Sequence, residues 1–258
     1  MRAALIAAFA LLVAGTASAT TDPGVLRPYW TGPVWGAFTN VGPDSVEGAK
    51  AQLNVPIGVR LTEPVHVFGK KVDLRAEFKW TTKAYLGEPS EPLQDATYEW
   101  FPLARVQPDS TAGFWHYTDV GPDHISNGDD GTLSRSMNAI SSVSAFAWTW
   151  SGIEFEAYVK IWYVYDFGEN TEPMKGVISL FDNFGAQVLV RGRMSMIDLA
   201  AEFGPDWQKY LGFVPLKDDF YHFGGFIQFH NGKLDSFLDP TKSVKAIYGG
   251  VSLTPPHL

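Results

Sequence analysis

His124-Ile125-Ser126-Asn127-Gly128, followed by Ser134-Arg135-Ser136-Met137-Asn138, puts an imidazole base, a hydroxyl and a side-chain amide within fifteen residues. A serine hydroxyl is a weak nucleophile until a neighbouring base can take its proton. On an extended strand over 113–126, His124 and Ser126 are i and i+2 and share one face, so the base meets the hydroxyl without help from distant segments. Asn138 lies twelve residues after Ser126, room for a loop and a return strand. Its side-chain oxygen could accept the other imidazole N–H and fix the ring, the role a carboxylate plays in better-known triads. The chemistry these types and spacings suit is acyl transfer to serine. No Gly-x-Ser-x-Gly elbow is present to support an α/β-hydrolase.

The elements that must carry these residues read as strands. Val72, Leu74, Ala76, Phe78 and Trp80 alternate with Lys71, Asp73, Arg75, Glu77 and Lys79. Ala51 to Leu61 and Ile153 to Tyr163 alternate in the same way, and a helical period would smear all three patterns. The charged row of the 71–80 segment fits either a polar lumen filled by ion pairs or a solvated sheet face. Further strands are expected near 33–39, 98–107, 113–126, 136–149, 174–182, 187–194, 207–214, 221–230 and 243–253, with a helical turn expected over 196–204. Turn chemistry separates them, as at Phe68-Gly69-Lys70 and Asn231-Gly232. About a dozen strands fit one domain, because a spanning strand of about 9–11 residues plus its turn consumes roughly 20 residues.

Composition narrows the setting. Arg2, the apolar run Ala3 to Val13 and the small-x-small triplet Ala17-Ser18-Ala19 predict a signal peptide over residues 1–19 and a mature domain over 20–258. The chain has no cysteine, which excludes thiol catalysis, cysteine–zinc sites and disulfides. A net charge of −8 argues against nucleic-acid binding. After the leader no apolar run reaches the ~18–20 residues of a spanning helix, so entry into a membrane requires a barrel. The aromatic content of 14% suits the girdles of such a barrel, and equally the core of a soluble sandwich.

The pattern His-x-Ser-Asn-Gly and then Ser-Arg-Ser-x-Asn resembles the outer-membrane phospholipase A family of Gram-negative bacteria. Ser90-Glu91-Pro92 with Thr97-Tyr98-Glu99 is similar to that family's entry into the active-site hairpin, and Lys160-x-Trp162-Tyr163 to the strand after it. The resemblance implies an all-β fold, a transmembrane antiparallel barrel of about twelve strands. It implies calcium-dependent hydrolysis of phospholipid acyl esters in the outer membrane (phospholipase A1/A2 and lysophospholipase), and activity as a homodimer. Carried over by position, Ser126 is the nucleophile, His124 the base and Asn138 the residue that orients it. Calcium falls on Ser134, on the carbonyl of Asp129 and on Ser90 from a second subunit, and the Gly128 amide completes the oxyanion hole. Met137 departs from the family, which carries an aromatic residue before the asparagine, and on that reading touches the interface belt or the substrate groove. Two other readings stay open: a lipid A deacylase-like barrel, which pairs His-x-Ser with a carboxylate, and a non-enzymatic outer-membrane barrel with a degenerate site.

Overall fold

In the strand Lys70–Tyr85, Asp73 and Arg75 are buried at 1% and 6% exposure, while Leu74 and Phe78 beside them stand out at 49% and 41%. That arrangement inverts a soluble protein, where large apolar side chains go inside and carboxylates are almost never fully buried unless paired. Large apolar side chains stand outward on other strands as well, as at Ile140, Leu199, Ile227 and Ile247, and this decides between the two readings of the charged row: it is an interior. The computed structural model describes residues 27–29, 34–39, 50–85, 93–110, 113–128, 134–168, 170, 174–194, 197–215, 222–233 and 243–254. The leader expected over 1–19 lies outside them.

The strands are β1 (Arg27–Tyr29), β2 (Val34–Thr39), β3 (Lys50–Arg60), β4 (Val65–Val67), β5 (Lys70–Tyr85), β6 (Leu93–Pro108), β7 (Trp115–Ser126), β8 (Ser136–Trp150) and β9 (Ile153–Phe167). After the short helix α1 (Lys175–Ile178) come β10 (Phe184–Met194), β11 (Ile197–Phe203), β12 (Trp207–Pro215), β13 (His222–Gly232) and β14 (Val244–Thr254). Each strand from β5 to β14 pairs antiparallel with the next. β14 then pairs with β2, β2 with β3 and β3 with β5, so the sheet closes on itself. β1 lies along β3 beyond β2, and β4 lies along β5 beyond β3. The wall therefore has twelve strand positions in one antiparallel barrel. Closure gives every wall strand a neighbour on both sides and leaves no edge, the condition for a sheet in hydrocarbon.

One end of the barrel has tight turns. Phe68-Gly69 and Ser151-Gly152 turn the chain with positive φ (50° and 69°, 50° and 78°). Near that end Phe114 stacks on Phe146 at 5.1 Å and Trp148 on Phe155 at 5.4 Å between ring centroids, an outward aromatic patch. The other end carries the longer connections 127–135 and 168–183 and its own rings, Phe203, Tyr210 and Phe229. Apolar outer wall between two aromatic zones is the surface a bilayer solvates. No helix among the described residues is long and apolar enough to cross a membrane.

The interior is filled. Arg105 holds Asp119 through two hydrogen bonds of 2.7 and 2.6 Å, and its guanidinium lies over the Tyr117 ring at 3.7 Å. Arg75 pairs with Asp73, Arg193 with Asp198 and Lys209 with Glu202. Lys160 lies between Glu99 and Asp123 at 2.7 and 2.8 Å. At the long-loop end these pairs give way to an apolar cluster of Met137, Ala139, Trp162, Val164, Met174, Ile178 and Trp207. The segment before β10 turns inward there as a plug.

Two expected elements are corrected. Residues 174–182 form no continuous strand: Met174, Val177 and Ile178 sit at i, i+3 and i+4 on the buried side of α1, and helical spacing lets all three reach the interior. Residues 197–203 are strand β11, not a helical turn. Their Leu, Ala and Glu favour helix weakly, but Asp198 and Glu202 find Arg193 and Lys209 inside only if the segment alternates. Met137 is a third correction: it faces inward and packs in the apolar cluster, away from any outer belt or groove.

Candidate active site

β7 and β8 pair with His124 opposite Asn138, Ile125 opposite Met137 and Ser126 opposite Ser136. The pleat sends alternate residues to opposite faces. Asp119, Gly121, Asp123 and Asn127 of this hairpin are buried, while Val120 and Pro122 are exposed on the parity of His124 and Ser126. Both candidate groups therefore lie on the outer wall. On the other side of β7, β6 brings Trp100 opposite His124 and Tyr98 opposite Ser126. Exposed Trp100, Ile140, Tyr163 and Tyr165 surround the site with apolar surface.

His124 Nδ1 and Asn138 Oδ1 are 2.8 Å apart. An amide oxygen can only accept, so Nδ1 carries the proton and Nε2 is left as the basic nitrogen. The Ser126 hydroxyl accepts the Gly128 amide N–H at 3.1 Å. The contact that activation of this hydroxyl needs is with Nε2, and catalytic hydrogen bonds are often long or unmade in unliganded enzymes.

Gly128 is required by its backbone. Its φ is +70°, and a Cβ there would meet Cε2 of Tyr98 at 2.8 Å. The preceding residue anchors it. Buried Asn127 donates its amide to the Arg135 carbonyl at 3.1 Å, and its side-chain oxygen accepts the Arg135 amide at 2.9 Å. This two-way clasp closes the loop at its base and holds the Gly128 N–H beside Ser126.

Of the oxygens expected around calcium, Ser134 is described; Ser90 and Asp129 lie outside the described residues. The Ser134 carbonyl accepts from Arg135 Nη1 at 3.4 Å and Asn170 Nδ2 at 3.5 Å. Its hydroxyl is engaged by neither and is a hard oxygen of the kind calcium takes. No group of three or more His, Asp or Glu that could hold a metal occurs among the described residues.

One residue escapes the sequence reading. Asn138 Nδ2 donates to Asp166 Oδ2 at 2.8 Å. Strict alternation along β9 would turn Asp166 inward with Trp162 and Val164. The register shifts instead: Asn138 faces Asp166 while Ala139 faces Val164, so Tyr165 is an extra residue on β9. A bulge of this kind re-aims the side chains beyond it. Tyr165 and Asp166 both point outward, and Phe167 turns in against the apolar cluster. Trp100, His124, Asn138 and Asp166 thus form one row across four strands. The only sequence signal was a carboxylate at an inward parity whose neighbours are apolar.

No protein-family model matches the chain, and no curated protein matches its sequence. Solved structures do. The outer membrane phospholipase A from Escherichia coli superposes with a TM-score of 0.71 at 16% identity, covering 94% of this chain and 97% of that one. The outer membrane phospholipase of Salmonella typhi, a dimer with bound calcium, gives 0.69 at 17% identity with the same coverage.

Proposed function

We propose that this barrel, which has the fold of the outer membrane phospholipase A structures, hydrolyses acyl ester bonds of phospholipids, as a phospholipase A1/A2 that also accepts lysophospholipids. The observation that carries this is the His124–Asn138 hydrogen bond at 2.8 Å on the outer wall, with Ser126 two residues along the same face. A soluble substrate would call for a cleft; this site opens sideways onto apolar surface, where the ester bonds of a bilayer lie beneath their headgroups.

In this reading the Ser126 hydroxyl turns to His124 Nε2, gives up its proton and attacks the ester carbonyl carbon. That turn also vacates the Gly128 amide, which then donates to the carbonyl oxygen as negative charge develops there. Collapse of the tetrahedral intermediate expels the alcohol of the lysolipid, which takes the proton from His124. Water, deprotonated by the same ring, then releases the fatty acid from Ser126. Asn138 holds the ring so that Nε2 faces the serine through both halves. The amide needs no charge of its own to do this. Calcium, held by the Ser134 hydroxyl, the Asp129 carbonyl and Ser90 of the partner subunit, would supply positive charge near the oxyanion. The active form in this reading is a homodimer in the outer membrane, after removal of residues 1–19.

The test is acyl release from phospholipid in mixed micelles. The purified protein releases fatty acid with calcium, stops with a chelator, and loses release in Ser126→Ala. Undiminished release by Ser126→Ala refutes the reading.

A further inference from the structure

We infer that Asp166 is a positioning residue that sets the tautomer of His124 through Asn138. The inference rests on the hydrolytic reading above and adds a fourth member to it. Asn138 lies between an imidazole nitrogen and a carboxylate oxygen, each at 2.8 Å. An amide has one accepting end and one donating end. If it were flipped, its oxygen would face the Asp166 carboxylate, acceptor against acceptor. Asp166 therefore forces Nδ2 toward itself and Oδ1 toward His124. An oxygen facing Nδ1 requires the proton on Nδ1, and this leaves Nε2 unprotonated and able to take a proton from Ser126. The carboxylate is the fixed point from which the whole row is oriented.

The fold provides for this contact specifically. The extra residue Tyr165 turns Asp166 to the outer face at the register position of Asn138. Phe167, just beyond it, packs into the interior cluster, and Lys175 Nζ lies over its ring at 5.0 Å. Gly168 donates its amide to the Ser136 carbonyl at 2.9 Å, pinning β9 to β8 immediately past the bulge. Asp166 is thus followed directly by two anchored residues.

The same geometry explains why position 138 carries an amide. A carboxylate there could accept from His124 but has no N–H to donate to Asp166 and would set one acceptor against another. Asparagine bridges the two groups; aspartate cannot while Asp166 is present.

The experiment measures kcat and KM for phospholipid in calcium-containing mixed micelles. It compares wild type with Ser126→Ala, Asp166→Ala, Asp166→Asn, Asn138→Asp and the double substitution Asn138→Asp with Asp166→Asn. Heat-dependent mobility on detergent gels verifies that each barrel is folded. Asp166→Ala lowers kcat about tenfold or more with KM unchanged, on the scale of losing a residue that orients a functional side chain. Asp166→Asn keeps an oxygen for Asn138 and retains most of the activity. Asn138→Asp alone is impaired, and adding Asp166→Asn restores it, because the introduced amide can donate to the introduced carboxylate. A purely structural role for Asp166 would not produce that reciprocal rescue. Wild-type kcat in Asp166→Ala, or equal activity of Asn138→Asp with and without Asp166→Asn, overturns the inference while Ser126→Ala is inactive. If Ser126→Ala remains active, the hydrolytic reading itself fails and the inference falls with it.

Discussion

Replacing Lys160 by methionine removes the cation from the barrel interior directly behind the candidate site. Lys160 Nζ lies 2.7 Å from Glu99 Oε1 and 2.8 Å from Asp123 Oδ2. Glu99 keeps a second, longer contact to Lys79 at 3.6 Å. Asp123 keeps only the Ser141 hydroxyl at 2.9 Å, and its other oxygen, Oδ1, is already buried without a partner. Methionine nearly conserves the length and volume of lysine, so packing loss is small and the cost is electrostatic. Removing one partner of a buried ion pair costs about 3–5 kcal/mol, because the remaining charge is left uncompensated. Two carboxylates share this cation, which places Lys160→Met in the upper part of that range. Adding Asp123→Asn removes one of the stranded charges and recovers about 2 kcal/mol, within the coupling expected for residues in direct contact. Urea unfolding from lipid vesicles, followed by tryptophan fluorescence, measures both variants. A loss under about 1 kcal/mol for Lys160→Met would mean that water reaches the cluster freely, as at exposed pairs, and would refute a filled interior.

Three other outcomes follow from the same geometry. Gly128→Ala forces a side chain into a φ of +70° against Tyr98 and lowers kcat about 10²–10³-fold through the displaced amide, with the barrel still folded by gel mobility. Met174→Ala opens a cavity in the plug and costs about 2–5 kcal/mol in the same urea assay. In planar bilayers the wild-type protein gives no porin-like conductance steps, because ion pairs and the apolar plug occupy the lumen; large steady steps would instead favour the non-enzymatic barrel.

The strand pattern was legible because an inside-out barrel keeps the two-residue period as cleanly as a sandwich does. What alternation left open was which face is inside, and burial of Asp73 and Arg75 beside exposed Leu74 decides it. The spacing from Ser126 to Asn138 leaves room for a loop and a return strand, and the pairing of β7 with β8 sets His124 opposite Asn138. α1 was missed because Met174, Val177 and Ile178 read equally as a short apolar run, and the buried face appears only once a lumen exists to receive it. β11 was missed because its residues favour helix by intrinsic propensity, while the partners that draw Asp198 and Glu202 inward lie on neighbouring strands. Asp166 was missed because one bulged residue reverses parity without changing composition. Such a shift belongs to the pairing of two strands, which neither strand's sequence states alone.

The central claim is that Ser126 is a nucleophile activated by His124. Its most direct test is reaction of the folded protein with a long-chain phosphonylating ester, followed by peptide mass spectrometry. The account predicts phosphonylation at Ser126, abolished by His124→Ala and sharply slowed by Asn138→Ala. Label distributed over other serines, or equal labelling of Ser126 in His124→Ala, would contradict it.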